Sequence, residues 1–127
     1  MRDHKSLIAW QRARCVALGV LQLSKHHWQP RASALFAQLQ RSSLSVQLNI
    51  AEGYALKTPS RFRYHLTVAL GSAVETIELL ELGIEADVFL AETGREILET
   101  AIETRALLFG LLKRYQGPSR KQRGGKM

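Results

Sequence analysis

Three polar side chains near the middle of the sequence have a spacing from which a catalytic group could be built. Ser45, Asn49 and Glu52 are separated by four and three residues, so a helix would place them on one flank. In a hydrolase Glu52 would serve as the general base, but the sequence places no nucleophile or metal ligand beside it. We therefore predict a structural polar cluster that holds its helix against a neighbouring helix or another subunit.

The other candidates for nucleophilic or metal chemistry are few and scattered. His26 and His27 are adjacent, so on a helix they would lie about 100° apart and could not easily share a metal ion. Cys15 is the single cysteine, which excludes an intramolecular disulfide, and it is expected in the core or at an interface. The sequence has no glycine-rich phosphate loop, no Gly-x-Ser-x-Gly turn and no His-Glu-x-x-His motif. We predict no enzymatic activity, no cofactor and no metal.

Basic residues are the remaining candidates, because clusters of Lys and Arg neutralise phosphates in nucleic acids. The 127 residues have a net charge of +7. Residues 1–63 carry ten Lys and Arg against two acids, residues 64–115 four against nine, and residues 116–127 four against none. The net charges of these segments are therefore +8, −5 and +4. The predicted nucleic-acid-binding residues are Lys57, Arg61, Arg63, Arg120, Lys121, Arg123 and Lys126.

The segments that must position these side chains have helical periodicity. Apolar residues recur at intervals of three and four, and no segment alternates with period two. Pro30 and Pro59 are suited to the first turn of a helix, Gly53 and Gly83 to the position after its end, and Asp87 to an N-cap. The predicted helices lie at about residues 6–25, 30–52, 59–82 and 87–115, followed by a disordered basic tail at 116–127.

Short connections between these helices require consecutive helices to be antiparallel. The sequence thus predicts an all-α protein with one up-down-up-down four-helix bundle domain at residues 1–115. Gly94 suggests a break in the last helix. The apolar period of the first helix predicts that Leu18 and Leu21 are buried. No apolar run is long enough to span a membrane, and the N-terminus lacks the pattern of a secretory signal, so a soluble cytoplasmic protein is expected.

The second predicted helix has two apolar stripes. One stripe is expected in the core: Leu35, Phe36, Leu39, Val46 and Ile50. The other lies on the opposite side, where a lone bundle would leave it in water: Ala37, Leu44, Leu48 and Ala51. This second stripe is the predicted oligomer interface.

Several stretches of the sequence resemble the four-helix bundle proteins of the 23S rRNA-intervening-sequence family. They are residues 7–13, residues 38–53, and the positions Phe62, Leu66, Ala69, Gly71, Ser72 and Glu75. The resemblance implies a small bundle that assembles as a homopentameric ring. It also implies kinship with the accessory variability determinant proteins of diversity-generating retroelements, which are basic pentameric barrels that bind a reverse transcriptase and nucleic acid.

The sequence departs from the family pattern near the predicted basic corner. Ala55 and Leu56 stand where the family usually has a glycine and an arginine, so position 56 is not expected to contact a phosphate. Lys57, Arg61 and Arg63 are close enough to replace it. We predict a non-enzymatic, homo-oligomeric protein that binds RNA or DNA as an accessory factor, with a reverse transcriptase as a candidate partner. The alternative is a protein-interaction scaffold without a direct role in nucleic-acid binding.

Overall fold

The computed structural model describes residues 3–115, and in this part of the chain there are four long helices and no strands. Helix α1 spans Ile8–His27, α2 Ser33–Leu56, α3 Pro59–Glu85 and α4 Ala91–Arg114. Single 3-10 turns at His4–Ser6 and Pro30–Ala32 precede α1 and α2. Each helix packs against two others, in the cyclic order α1, α2, α3, α4. None of the helices described here has both the length and the apolar character needed to cross a membrane.

The start of α3 follows from local sequence. The Thr58 side chain accepts a hydrogen bond from the Arg61 backbone amide at 3.3 Å, and Pro59 occupies the first turn, where no amide hydrogen is required. Thr58 is therefore the N-cap of α3, and Pro59 lies in its first turn, as predicted.

The end of α2 differs from the prediction, because the helix continues through Gly53 to Leu56. Lys57 then takes the left-handed conformation, with a φ of 61°. Gly53 is buried where α3 passes closely: a Cβ there would lie 2.7 Å from the His65 Cβ and 3.0 Å from the Phe62 Cδ1. Glycine is therefore needed at this position for helix packing rather than for helix termination.

Three expectations about the connection between α3 and α4 are wrong. Helix α3 continues past Gly83 to Glu85, and α4 begins at Ala91 and is not broken at Gly94. Asp87 does not cap α4 but adopts a left-handed φ of 55° between the two helices. Both glycines lie against the buried ring of Phe89: a Cβ at Gly83 would overlap it, and one at Gly94 would lie 2.8 Å from its Cε1.

The buried face of α1 also differs from the prediction. Leu18 and Leu21 are 49% and 43% exposed, and Cys15 is exposed as well. The helix instead buries a stripe rich in small residues, which allows close approach to its neighbours: Ala9, Trp10, Ala13, Val16, Ala17, Val20 and Leu23. The core face of α1 is thus marked by its alanines and valines rather than by Leu18 and Leu21.

The core has two apolar clusters with a layer of hydroxyl side chains between them. One cluster is centred on Phe36, Leu80 and Phe89 and the other on Ile50, Phe62 and Leu66. The layer between them consists of buried Ser42, Ser43, Thr76 and Thr104. The Thr76 hydroxyl lies 2.8 Å from the Ser42 hydroxyl across the α2–α3 contact and 2.8 Å from the Ser72 carbonyl oxygen. These buried polar groups are thus hydrogen-bonded, as burial requires.

Candidate nucleic-acid interface

Bundle topology brings together basic residues that are far apart in sequence. The start of α1, the end of α2, the start of α3 and the end of α4 lie at the same end of an antiparallel bundle. We call this the basic end; its described basic residues are Lys5, Lys57, Arg61, Arg63, Lys113 and Arg114. The acids among residues 3–7, 52–65 and 107–115 are Asp3 and Glu52. One end of the bundle therefore carries a strong positive charge.

The opposite end of the bundle has a different character. It is formed by the end of α1, the start of α2, the end of α3 and the start of α4. Its described residues include Lys25, Arg31 and Arg95 but also six acids: Glu78, Glu81, Glu85, Asp87, Glu92 and Glu96. The basic and acidic segments of the chain thus give the two ends of the bundle opposite net charges. Negatively charged groups are attracted to the basic end and repelled by the other.

Lys57 and Arg61 are both exposed at the basic end. They flank the short connection from α2 to α3, with Arg61 in the first turn of α3. Arg63 differs, because it is half-buried and its Nη1 donates a hydrogen bond to the Tyr115 carbonyl oxygen at 2.9 Å. Arg63 therefore joins the start of α3 to the end of α4, and only Lys57 and Arg61 of the predicted residues in this corner are fully presented to solvent.

An open groove of about 410 Å³ lies beside Lys57. It is lined by Gly53, Tyr54, Lys57, Thr58, Pro59, Phe62 and Tyr115. Phe62 is 5% exposed and lies at the base, with Tyr54 and Tyr115 half-buried around it. The ring centroid of Phe62 is 5.9 Å from that of Tyr54 and 4.9 Å from that of Tyr115, with interplanar angles of 84° and 78°. The two tyrosine rings therefore stand nearly upright relative to the phenylalanine ring.

Some residues of this end were missing from the sequence-based site. Lys113 and Arg114 come from the acidic segment of the chain, and Tyr115 is the C-cap of α4. The bundle topology would have identified them, since the last turn of the fourth helix must lie beside the start of the third. Tyr64, in contrast, is 64% exposed, packs on the His65 ring and does not line the groove.

Two members of the predicted polar cluster join α2 to α3. The Ser45 and Ser72 hydroxyls are 2.8 Å apart, and Asn49 Nδ2 donates to the Ser45 carbonyl oxygen at 2.9 Å. Asn49 Oδ1 then faces His65 Nδ1 at 2.9 Å, so the histidine nitrogen must be the donor. Glu52 is exposed and makes no contact with this group. Within residues 3–115, no three His, Cys, Asp or Glu side chains are grouped as metal ligands.

The predicted interface stripe lies on the outer face of α2. Leu44 and Leu48 are 38% and 54% exposed, Ala37 is exposed, and Ala51 is half-buried against the core. Leu18 and Leu21 of α1, a helix that packs against α2, are also exposed. The exposed apolar surface therefore extends over two helices rather than one. Four predicted binding residues lie outside the described part of the chain: Arg120, Lys121, Arg123 and Lys126.

Comparisons with known proteins agree with this architecture. A solved structure of a protein with unknown function from the S23 ribosomal protein family of Bacteroides thetaiotaomicron VPI-5482 is similar, with a TM-score of 0.77 and 25% sequence identity. The similarity covers 84% of this chain and 99% of that chain. A search of curated proteins gives no match. The family model described as 23S rRNA-intervening sequence protein matches residues 5–110, and the chain therefore belongs to that family.

Proposed function

We propose that this protein is a non-enzymatic, self-associating subunit that binds nucleic acid through the basic end of its bundle. The observation that supports this function is the presence of exposed Lys57 and Arg61 beside an aromatic groove, with Lys113 and Arg114 on the adjacent helix. Lys and Arg side chains attract phosphates without regard to sequence, and binding releases the counterions condensed on the nucleic acid. The proposed binding is therefore salt-sensitive and largely independent of sequence.

Self-association would strengthen binding by this surface. A ring with cyclic symmetry places every copy of the basic end in an equivalent position, so one strand can contact several copies at once. Leu44 and Leu48 supply exposed apolar area that self-association would bury. The proposed assembly is a homopentamer, as the family resemblance implies, and its proposed role is that of a cytoplasmic accessory factor for a retroelement reverse transcriptase.

A binding experiment with matched variants tests the role of the basic end. Fluorescence anisotropy with a labelled 30-nucleotide RNA or DNA is measured at several salt concentrations for the wild type and for Lys57→Gln/Arg61→Gln. The control, Lys25→Gln/Arg95→Gln, removes the same charge at the opposite end. We expect the first variant to lose at least tenfold in affinity and to reduce the slope of log K against log salt by roughly 1.4 to 1.8 for each subunit that contacts the strand.

Two results would contradict the proposal. One is the absence of binding by the wild type at low salt. The other is an equal loss in both variants, which would mean that net charge rather than the basic end determines affinity.

A second experiment tests self-association. Light scattering coupled to size exclusion should give about five subunits for the wild type and a smaller species for Leu44→Glu/Leu48→Glu. Leu90→Glu is the control, because Leu90 is 64% exposed but lies outside the stripe. A wild-type monomer at micromolar concentration would overturn this part of the proposal.

The apolar stripe also favours a second candidate function, that of a protein-interaction scaffold. In that case the exposed surface of α1 and α2 would bind another protein, and the basic end would have no role. Partner binding would then survive Lys57→Gln/Arg61→Gln and be lost in Leu44→Glu/Leu48→Glu.

A further inference from the structure

We infer that the aromatic groove at the basic end holds an unpaired nucleobase, which makes single-stranded nucleic acid the preferred ligand. This inference rests on the proposed function and narrows its ligand class. It is based on the groove itself: an open cavity of about 410 Å³ with three aromatic rings and a lysine in its lining.

The dimensions and surface of the groove suit a flat aromatic ligand. Its volume lies within the range of about 300–1,000 Å³ that is typical of small-molecule sites. Tyr54 and Tyr115 stand nearly perpendicular to the buried Phe62 ring, so a planar group that enters between the walls can stack on a tyrosine face. Every nucleobase has such a planar face, and stacking on aromatic side chains tolerates all four bases.

The charges around the groove distinguish a nucleotide from an uncharged apolar ligand. Lys57 is part of the lining, and exposed Arg61 lies in the first turn of α3, one residue before Phe62. A base on the tyrosines would bring its phosphates to this rim.

A base in a duplex could not use this site, because both its faces are already stacked and its edge is paired. A duplex would contact only the basic residues, while a single strand could contact these residues and also stack in the groove. The groove therefore predicts an affinity difference between the two forms, whereas the basic residues alone predict similar binding per phosphate.

The difference can be measured with an oligonucleotide that contains 2-aminopurine, whose fluorescence falls when it stacks. Single-stranded RNA, single-stranded DNA and the corresponding DNA duplex are titrated with the full chain, and anisotropy and 2-aminopurine emission are recorded together. We expect the single strands to bind about tenfold more tightly than the duplex at equal salt, with quenching on binding.

Variants of the groove test where the stacking occurs. Tyr54→Leu and Tyr115→Leu should each reduce the single-strand preference several-fold and weaken the quenching, with duplex binding unchanged. Tyr54→Phe retains a stacking face and should retain the preference. Tyr64→Leu is the matched control, because Tyr64 lies in the same helical corner but outside the groove. Circular dichroism melting identifies any variant that fails to fold, and in that case the wild-type comparison of single strand with duplex still tests the inference.

The result separates this inference from the proposed function. If the tyrosine variants bind single strands as tightly as the wild type while Lys57→Gln/Arg61→Gln weakens every ligand, the groove inference is wrong and the proposed function survives. If neither set of variants changes binding, both are wrong. Equal wild-type affinity for single strand and duplex would also overturn the inference.

Discussion

The bundle has two helical corners that each contain one residue with a positive φ and differ in how their aromatic rings are packed. In the α2–α3 corner Lys57 has a φ of 61°, and in the α3–α4 corner Asp87 has a φ of 55°. Both corners have aromatic rings and glycines at the helix contacts. In the α3–α4 corner the Phe89 ring fills the space between Gly83 and Gly94 and is 4% exposed. In the α2–α3 corner the rings line an open groove.

The comparison shows how the same residue types serve packing in one place and supply an accessible surface in another. Phe89 uses its aromatic area for burial, which stabilises the fold. Tyr54 and Tyr115 keep part of their aromatic area exposed beside Lys57, although burying it would stabilise the protein further. This open aromatic surface next to positive charge is the feature on which the proposed nucleobase site rests.

Truncation of one ring in each corner should give the largest difference in stability between the two corners. Phe89→Ala removes a buried ring and should lower the free energy of unfolding by about 3–5 kcal/mol. Tyr115→Ala removes a half-buried ring that borders an open groove and should cost about 1 kcal/mol. Urea denaturation followed by circular dichroism measures both. Equal losses would mean that the α2–α3 rings are as much a part of the core as Phe89.

The glycines around Phe89 provide the next largest effect. Gly83→Ala should lower the free energy of unfolding by about 3 kcal/mol, because the new methyl group would overlap a ring that Gly94 prevents from moving away. Gly71→Ala on the same helix is the control, since nothing lies within 4 Å of its Cβ position. Helix propensity predicts that this control is stabilised by up to about 1 kcal/mol. A neutral Gly83→Ala would show that the Phe89 contact is loose.

Gly53 tests the close contact in the open corner. Gly53→Ala should cost about 2 kcal/mol, because the methyl group would press on the Cβ of His65 close to the α3 backbone. The effect should be smaller than at Gly83, since the nearby groove leaves space for adjustment. Thermal melting alongside Gly110→Ala, another helical glycine with open surroundings, measures the difference. A larger loss than at Gly83 would contradict this ranking.

Glycine substitutions at the two residues with positive φ should have the smallest effects on stability, and both should be stabilising. Lys57→Gly and Asp87→Gly each relieve the cost of a side chain at positive φ and should stabilise the protein by up to about 1 kcal/mol. The gain at Asp87 should be smaller, because aspartate tolerates this conformation better than lysine does. Only Lys57→Gly should also weaken nucleic-acid binding. Equal binding by the two variants would remove Lys57 from the proposed site.

The sequence predicts the helices well and the corners poorly, for a physical reason. The period of the apolar residues identifies the core faces of α2 and α3, where large side chains such as Phe36 and Leu66 are fully buried. Glycine is typical of helix ends and breaks, which is why Gly53, Gly83 and Gly94 were expected there. Their actual role depends on side chains that approach from other parts of the fold. Helix propensity depends on neighbouring residues in the sequence and therefore cannot predict such a contact. The same limit applies to the groove, where Tyr115 meets Phe62 only after the bundle has formed.

Polar pairs along the contact between α2 and α3 determine how these helices are aligned lengthwise. Ser42 meets Thr76, Ser45 meets Ser72, and Asn49 meets His65, in steps that follow the antiparallel helices toward the basic end. A slide of one turn, about 5.4 Å, would bring a residue larger than Gly53 against His65 on α3. It would also separate the hydroxyl, amide and imidazole groups that meet in the three polar pairs. Hydrogen bonds in the middle of the bundle thus keep the ends of α2 and α3 level, and the groove between them depends on that alignment.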